Sequence, residues 1–185
     1  CLSLVGSEMC IRDSGCIEKL VIGSKLIFQL NNKLNIIQIL NKLRSSQNNA
    51  CRYLWKRDKD NMIFGASPEK LFSLKEKVLQ LEAIAGTEKI GFDMDTFLRS
   101  DKNLREHNFV INYLIENLKF LNIRNYKKGE INVREFGNLA HLCTLISAEV
   151  NKICPFLLLE KLHPSPAVCG FPKEKALDYL DSLEN

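Results

Sequence analysis

The stretch H-P-S-P-A-V-C-G-F-P, residues 163–172, holds three of the five prolines of this 185-residue chain. Pro164, Pro166 and Pro172 fix φ and withdraw amide donors, which argues against this backbone joining a sheet ladder. Gly170 can supply a conformation closed to other residues, and Pro172 suits the first position of the helix that K-E-K-A-L begins. So much restriction in ten residues suits the wall of a shaped pocket. Taken alone it also fits a stiff loop before a helix, so the reading turns on what lies upstream.

Working outward, residues 19–30, K-L-V-I-G-S-K-L-I-F-Q-L, read as a strand, with Gly23 a bulge or a point of close approach. Leu34, Ile37, Leu40 and Leu43 recur at three-residue spacing and predict a helix, closed by the polar loop 45–49. Residues 52–55, 62–66, 71–74 and 78–85 then read as short strands separated by charged turns, an antiparallel meander. A long helix is expected over about 96–121, with Val110, Tyr113, Leu114, Leu118 and Leu121 as its buried stripe. After a turn at 126–130, residues 131–133 and 136–147 look extended, and 154–162 reads as a short apolar helix. The final helix, from Pro172, sets Ala176, Leu177, Leu180 and Leu183 on one face. No internal repeat or linker interrupts the pattern.

Composition narrows the function class only a little. The 26 basic and 22 acidic side chains give a formal charge of +4, with the basic residues spread along the chain. That excludes a nucleic-acid arm and a polybasic membrane anchor, and no apolar run approaches the ~18 residues needed to span a bilayer. The seven cysteines form no C-x-x-C pair, so reduced thiols in a cytoplasmic setting are expected. The opening C-L-S-L-V-G-S-E-M-C-I-R-D-S, residues 1–14, has neither helical nor strand periodicity. It resembles a translated sequencing adapter and is set apart from residues 15–185.

Several residues could carry chemistry. Glu106 lies four positions before Val110 and seven before Tyr113, which puts its carboxylate beside the apolar stripe. A carboxylate there needs an arginine, a metal ion or a proton, unless it sits half-exposed beside Arg105 or Lys102. Its neighbour His107 could be a ligand, though a lone histidine is more often a surface or core residue. Glu69, in F-G-A-S-P-E-K, follows Pro68 at a strand junction, where a raised pKa would suit a general acid; a simple charged turn is the plainer reading. Gly86 and Thr87 end the strand L-E-A-I-A-G-T with an amide and a hydroxyl that could hold a carboxylate. Lys19 opens the first strand, where partial burial would lower its pKa and make it a base. His141, in N-L-A-H-L, fits either a site or a hydrogen-bonded core.

Taken in order, K-L-V-I-G-S-K, F-G-A-S-P-E-K-L, L-E-A-I-A-G-T, K-N-L-R-E-H-N-F-V, N-L-A-H-L and L-H-P-S-P-A-V-C-G-F-P-K-E-K-A resemble the chorismate-binding enzymes, and among them the isochorismate synthases. The resemblance covers nearly everything from about residue 15 onward. It implies an α+β fold like that of anthranilate synthase component I, with largely antiparallel sheets covered by helices and here truncated at both ends. It implies chorismate as substrate and Mg2+ as cofactor; the oligomeric state is left open, with a monomer the simplest expectation. Residue by residue, Lys19 matches the base that activates water and Glu69 the acid that protonates the departing hydroxyl. Glu106 matches a magnesium ligand, and Gly86, Thr87 and His141 match residues lining the site. Ala167 stands where water-using members carry a small residue.

The reaction so implied adds water at C2 of chorismate as hydroxide leaves C4. Two departures stand out. Ser24 replaces an arginine common in the family, and the family pattern continues past residue 185, so an internal fragment without turnover of its own is expected. The neighbouring alternatives are salicylate synthase and the ammonia-using synthases, which need no water-activating lysine. From another class, the chain could be a catalytically inert chorismate-binding or interaction module. Whether the product feeds menaquinone or a siderophore is not written in these motifs.

Overall fold

A computed structural model describes residues 16–23, 25–31, 34–47, 49–59, 61–91 and 93–184. The expectations for residues 1–14 and Ser24 lie outside them. The element order is β1 (Lys19–Leu20), α1 (Ile36–Ser46), β2 (Cys51–Lys56), β3 (Met62–Ser67), β4 (Ser73–Lys75), β5 (Val78–Lys89), α2 (Met94–Leu98), α3 (Asp101–Phe120), β6 (Tyr126–Lys128), β7 (Asn132–Phe136), β8 (Leu139–Glu149), α4 (Pro155–Leu162), β9 (Gly170–Phe171) and α5 (Lys173–Glu184). The fold is α+β, as the motifs imply.

Among the described residues the main sheet joins β4, β5, β8 and β6 in that order, with β7 also pairing with β8, all antiparallel. Alternation decides what each face does. Leu79, Leu81, Ala83 and Ala85 of β5 and Ile146 of β8 are buried, and all but Ala85 and Ala83 are large. They meet Val110, Ile111, Leu114 and Leu118 of α3, with Leu158 and Leu162 of α4 completing the core. The step from leucine to alanine along β5 leaves more room at one end, and there the helix comes closest. A Cβ on Gly86 would stand 3.1 Å from the Asn103 carbonyl oxygen of α3. The opposite face carries Glu82, Ile84, Cys143, Arg134 and Phe136.

Several sequence expectations need correction. The helix expected over 96–121 is two helices, because Asp93 and Ser100 both act as N-caps, Asp93 accepting from the Thr96 amide and Ser100 from that of Asn103. The turn at 126–130 contains β6, and the extended run 136–147 is broken at Gly137, whose φ is +60°, into β7 and β8. The first strand is only Lys19–Leu20, and nothing approaches the Cβ position of Gly23. Helix α1 buries none of its side chains; Ile37 is 64% exposed, so its apolar stripe has no partner among the described residues. The strands β2 and β3 form a separate hairpin rather than part of one meander, with Trp55 57% exposed.

The proline-rich stretch corrects its own reading. Residues Gly170–Phe171 do enter a ladder, pairing antiparallel with β1 in the register Lys19↔Phe171 and Leu20↔Gly170. The prolines permit this because the pairing groups belong to their neighbours: the Glu18 amide donates to the Phe171 carbonyl at 2.8 Å and the Val21 amide to the Cys169 carbonyl at 2.8 Å. Pro172 precedes the last helix instead of opening it. The His163–Pro164 and Phe171–Pro172 peptides are cis. At Gly170 a Cβ would collide with the Lys19 carbonyl oxygen and stand 2.8 Å from the Ala176 Cβ. Gly170→Ala should therefore destabilise the fold by ~1–3 kcal/mol in urea denaturation, as overpacking does. Hydrogen exchange should show the Glu18 and Val21 amides losing protection, whereas unchanged protection would mean the close contact is dispensable.

Candidate active site

The proline-rich stretch carries Lys19 to the flank of α3. At 100° per residue, Glu106 and Phe109 project to the side of the buried stripe, next to Tyr113 at its edge. Phe109 stacks on Phe171 with ring centroids 5.3 Å apart. The Tyr113 hydroxyl donates to the Lys161 carbonyl at 2.7 Å and faces that of Pro164 at 3.3 Å. Phe171 is the ladder partner of Lys19. The amine is thus delivered beside Glu106 by a strand pair that α3 itself braces.

Electrostatics shows which groups share this space. Burial lowers the Lys19 amine below its ordinary value, opposed by the negative charges of Glu106 and then Glu69. Burial pushes the Glu69 carboxyl up to about 7, opposed by the charge of Lys19 and helped by that of Glu82. Glu69 sits in the loop after β3, where the Ser67 hydroxyl donates to the Glu69 carbonyl at 3.2 Å. Lys19, Glu69 and Glu106 therefore form one interacting set. An amine driven toward neutrality and a carboxyl driven toward protonation can between them accept one proton and give another.

A second group lies at the end of the main sheet. The register slips between Ala85 and Thr87, where Ala85 pairs with Leu142 and Thr87 with His141. This bulge centres on Gly86, whose φ is +77°, a left-handed conformation that suits glycine. Without it, plain alternation would turn Thr87 toward α3. With it, Thr87 joins His141 on the far face, and its Oγ1 lies 3.0 Å from His141 Nδ1. Burial lowers the His141 pKa, with the Gly86 backbone opposing, so the imidazole is neutral near pH 7. Phe136 tilts against the same ring at 5.7 Å. Gly86, Thr87 and His141 are neighbours in the fold, while Ala167 packs against the main core and its amide meets the Ser165 hydroxyl at 3.2 Å.

Sequence reasoning missed other members. Glu82 and Arg134 form an ion pair at 3.1 Å on the far face, and the charge of Glu82 reaches Glu69. The signal was there: Glu82 stands between the buried Leu81 and Ala83, so alternation turns it the other way. His107 is a core residue. It is wholly buried, its Nε2 lies 2.8 Å from Thr144 Oγ1, and burial lowers its pKa to about 4. Among the cavities elsewhere, one of about 460 Å³ lies beyond the end of α3 and one of about 610 Å³ between α3, α4 and the start of α5. Neither is lined by Lys19, Glu69 or Glu106, so the convergence of charge marks this site and not the depth of a hollow.

Among the described residues no three histidine, cysteine or acidic side chains gather as a metal cage. A half-buried Glu106 beside the site nonetheless fits what Mg2+ takes, since that ion is usually held by one or two carboxylates, water and substrate oxygens. No helix among the described residues is long and apolar enough to cross a membrane.

Glu69 makes a pH prediction. It keeps its proton up to about pH 7 in the fold but only to its ordinary 4.5 when unfolded. Its contribution to stability is then full below pH 4.5 and lost as pH rises through 7. Denaturation midpoints should fall across that window and flatten in Glu69→Gln; a carboxyl 13C titration of Glu69 near 4.5 would contradict it.

Comparison with known proteins agrees with this architecture. The family model described as chorismate binding enzyme matches residues 4–185. The chain is 25% identical over 179 residues to isochorismate synthase MenF of Haemophilus influenzae, covering 92% of this chain and 41% of that protein. It is 26% identical over 178 residues to the vibriobactin-specific isochorismate synthase of Vibrio cholerae, covering 91% and 45%. In structure it is similar to MenF, the menaquinone-specific isochorismate synthase of Escherichia coli, with a TM-score of 0.71 and 25% identity over 78% of this chain and 35% of that one. The chain thus spans less than half the length of these relatives. With the family model matching almost its whole length, the chain belongs to the chorismate-binding enzymes.

Proposed function

We propose that this chain carries the acid–base centre of an isochorismate synthase. The observation that supports the reading most directly is the opposed pair Lys19 and Glu69, an amine held below its usual pKa and a carboxyl held near 7 within one electrostatic neighbourhood. In the proposed reaction neutral Lys19 takes a proton from water as its oxygen bonds to C2 of chorismate. Both ring double bonds move over by one position, from C1=C2 and C5=C6 to C1=C6 and C4=C5, and the C4–O bond breaks. The departing hydroxyl leaves as water with the proton of Glu69. One water enters and one leaves, so the product is an isomer of the substrate.

Both proton transfers need Lys19 without its proton and Glu69 with one, and burial shifts each group in that direction. Glu106 would supply one carboxylate ligand to Mg2+, which when bound neutralises and orients a substrate carboxylate. His141, held neutral and fixed by Thr87, would offer a ring nitrogen to a substrate oxygen, and the Gly86 turn would present backbone beside it. Ala167, as a small side chain in the proline-rich wall, would leave room for water as the nucleophile.

The activity belongs to a longer assembly of residues than this chain contributes to its relatives. The test therefore grafts residues 16–185 into the matching segment of the Haemophilus influenzae isochorismate synthase and follows chorismate by chromatography with and without Mg2+. Isochorismate should accumulate, and Lys19→Ala and Glu69→Gln should each lower kcat by ~10²-fold or more, the usual worth of a positioned acid or base. Full activity in both variants would reject the assigned roles, and salicylate or anthranilate as the product would move the chain to another branch of the family. In parallel, chorismate added to the unmodified chain should shift the His141 ring resonances.

A further inference from the structure

We propose that His107 is a positioning residue, which through its hydrogen bond to Thr144 sets the rotation of α3 and so places Glu106 against Lys19. The inference rests on reading Lys19 and Glu106 as partners in the site.

The contact between α3 and the sheet is mostly apolar, and apolar burial has little directional preference. Val110, Leu114 and Leu118 would stay buried through small rotations of the helix. Under the first turns β5 offers only Ala83, Ala85 and Gly86, too small to key the helix by shape, with Leu142 of β8 beside them as a non-directional apolar contact. A hydrogen bond is directional, and this one lies where the packing is least discriminating. Thr144 sits on β8 opposite Ala83, and its hydroxyl stands 2.8 Å from His107 Nε2, with both residues wholly buried. His107 Nδ1 faces the Ala85 backbone without a hydrogen bond of good geometry, which leaves the Thr144 contact as the side-chain anchor of the ring.

Glu106 is the adjacent residue, about 100° around the helix from the anchored ring. At the ~5–6 Å outer radius of a helix, a rotation of roughly 20° moves a side-chain tip by about 2 Å. Such a shift would change how strongly the carboxylate acts on the Lys19 amine without exposing one core leucine. The tie from His107 to Thr144 is placed to prevent that.

Zero-length carbodiimide coupling reads the geometry directly. The reagent activates a carboxylate, a neighbouring amine attacks, and an amide forms as the activator leaves as its urea. Mass spectrometry of the wild-type chain should find Lys19 joined to Glu106 and, separately, to Glu69. In His107→Leu and Thr144→Val the ratio of the Glu106 product to the Glu69 product should fall by about five-fold, the population change that the loss of one hydrogen bond implies. Thr144→Ser, which keeps the hydroxyl, should retain the wild-type ratio. An unchanged ratio in His107→Leu and Thr144→Val would overturn the positioning role while leaving the site reading intact. Loss of both products together would make the tie one of general stability and also overturn it. A wild-type chain with no Lys19–Glu106 product would instead sink the site reading and this inference with it.

Discussion

The site depends on one close approach, that of the Gly170 backbone to the Lys19 carbonyl, where even a methyl group has no room. Lys19 belongs to a ladder two residues long, too short to hold itself in water. Its stability is borrowed. Phe171 stacks on Phe109, Ala176 closes the space behind Gly170, and Tyr113 ties the start of the proline-rich stretch to α3. A loop that cannot adjust is useful here, because an amine placed by a flexible loop would sample water and regain its ordinary basicity.

Burial then does the chemical tuning. The dominant influence on both Lys19 and Glu69 is removal from water, and it acts in opposite directions because one group is charged when protonated and the other when not. Their mutual attraction opposes both shifts and is the smaller effect. A pair in which attraction prevailed would be a salt bridge, with the proton on the wrong partner for the proposed chemistry. Glu82 adds to the imbalance, since its charge favours the protonated form of Glu69 while Arg134 anchors it from β7, on the far side of β8.

Much of this was legible in the residues and some was not. Strong alternation in V-L-Q-L-E-A-I-A and the three-four spacing from Val110 to Leu118 announced β5 and α3, because each buries one face against the other. The placement of Lys19 beside Glu69 followed from ordered motifs and a resemblance, since nothing in the spacing of two distant residues says that they meet. The break at Ser100 was missed because apolar periodicity runs across a capping residue that interrupts the backbone alone. The strand predicted through residues 21–30 failed for a different reason. Its composition is right for a strand, yet among the described residues no neighbour offers Leu26, Ile27 and Phe28 a ladder, and they stand exposed. Propensity describes a segment, whereas a strand needs a partner.

The pairing of β1 with β9 also has a consequence for how the molecule assembles. Its two strands come from opposite ends of the described chain, so the loop closed by that contact takes in most of the described residues. Contacts of such long range are entropically late, and local hairpins such as β2 with β3 or β4 with β5 need not wait for them. During synthesis Glu69 and α3 can therefore reach their places while Lys19 is still unattached. The amine is held only once Gly170 has been made, and a chain halted before that point would be ordered in much of its sheet with Lys19 still unplaced.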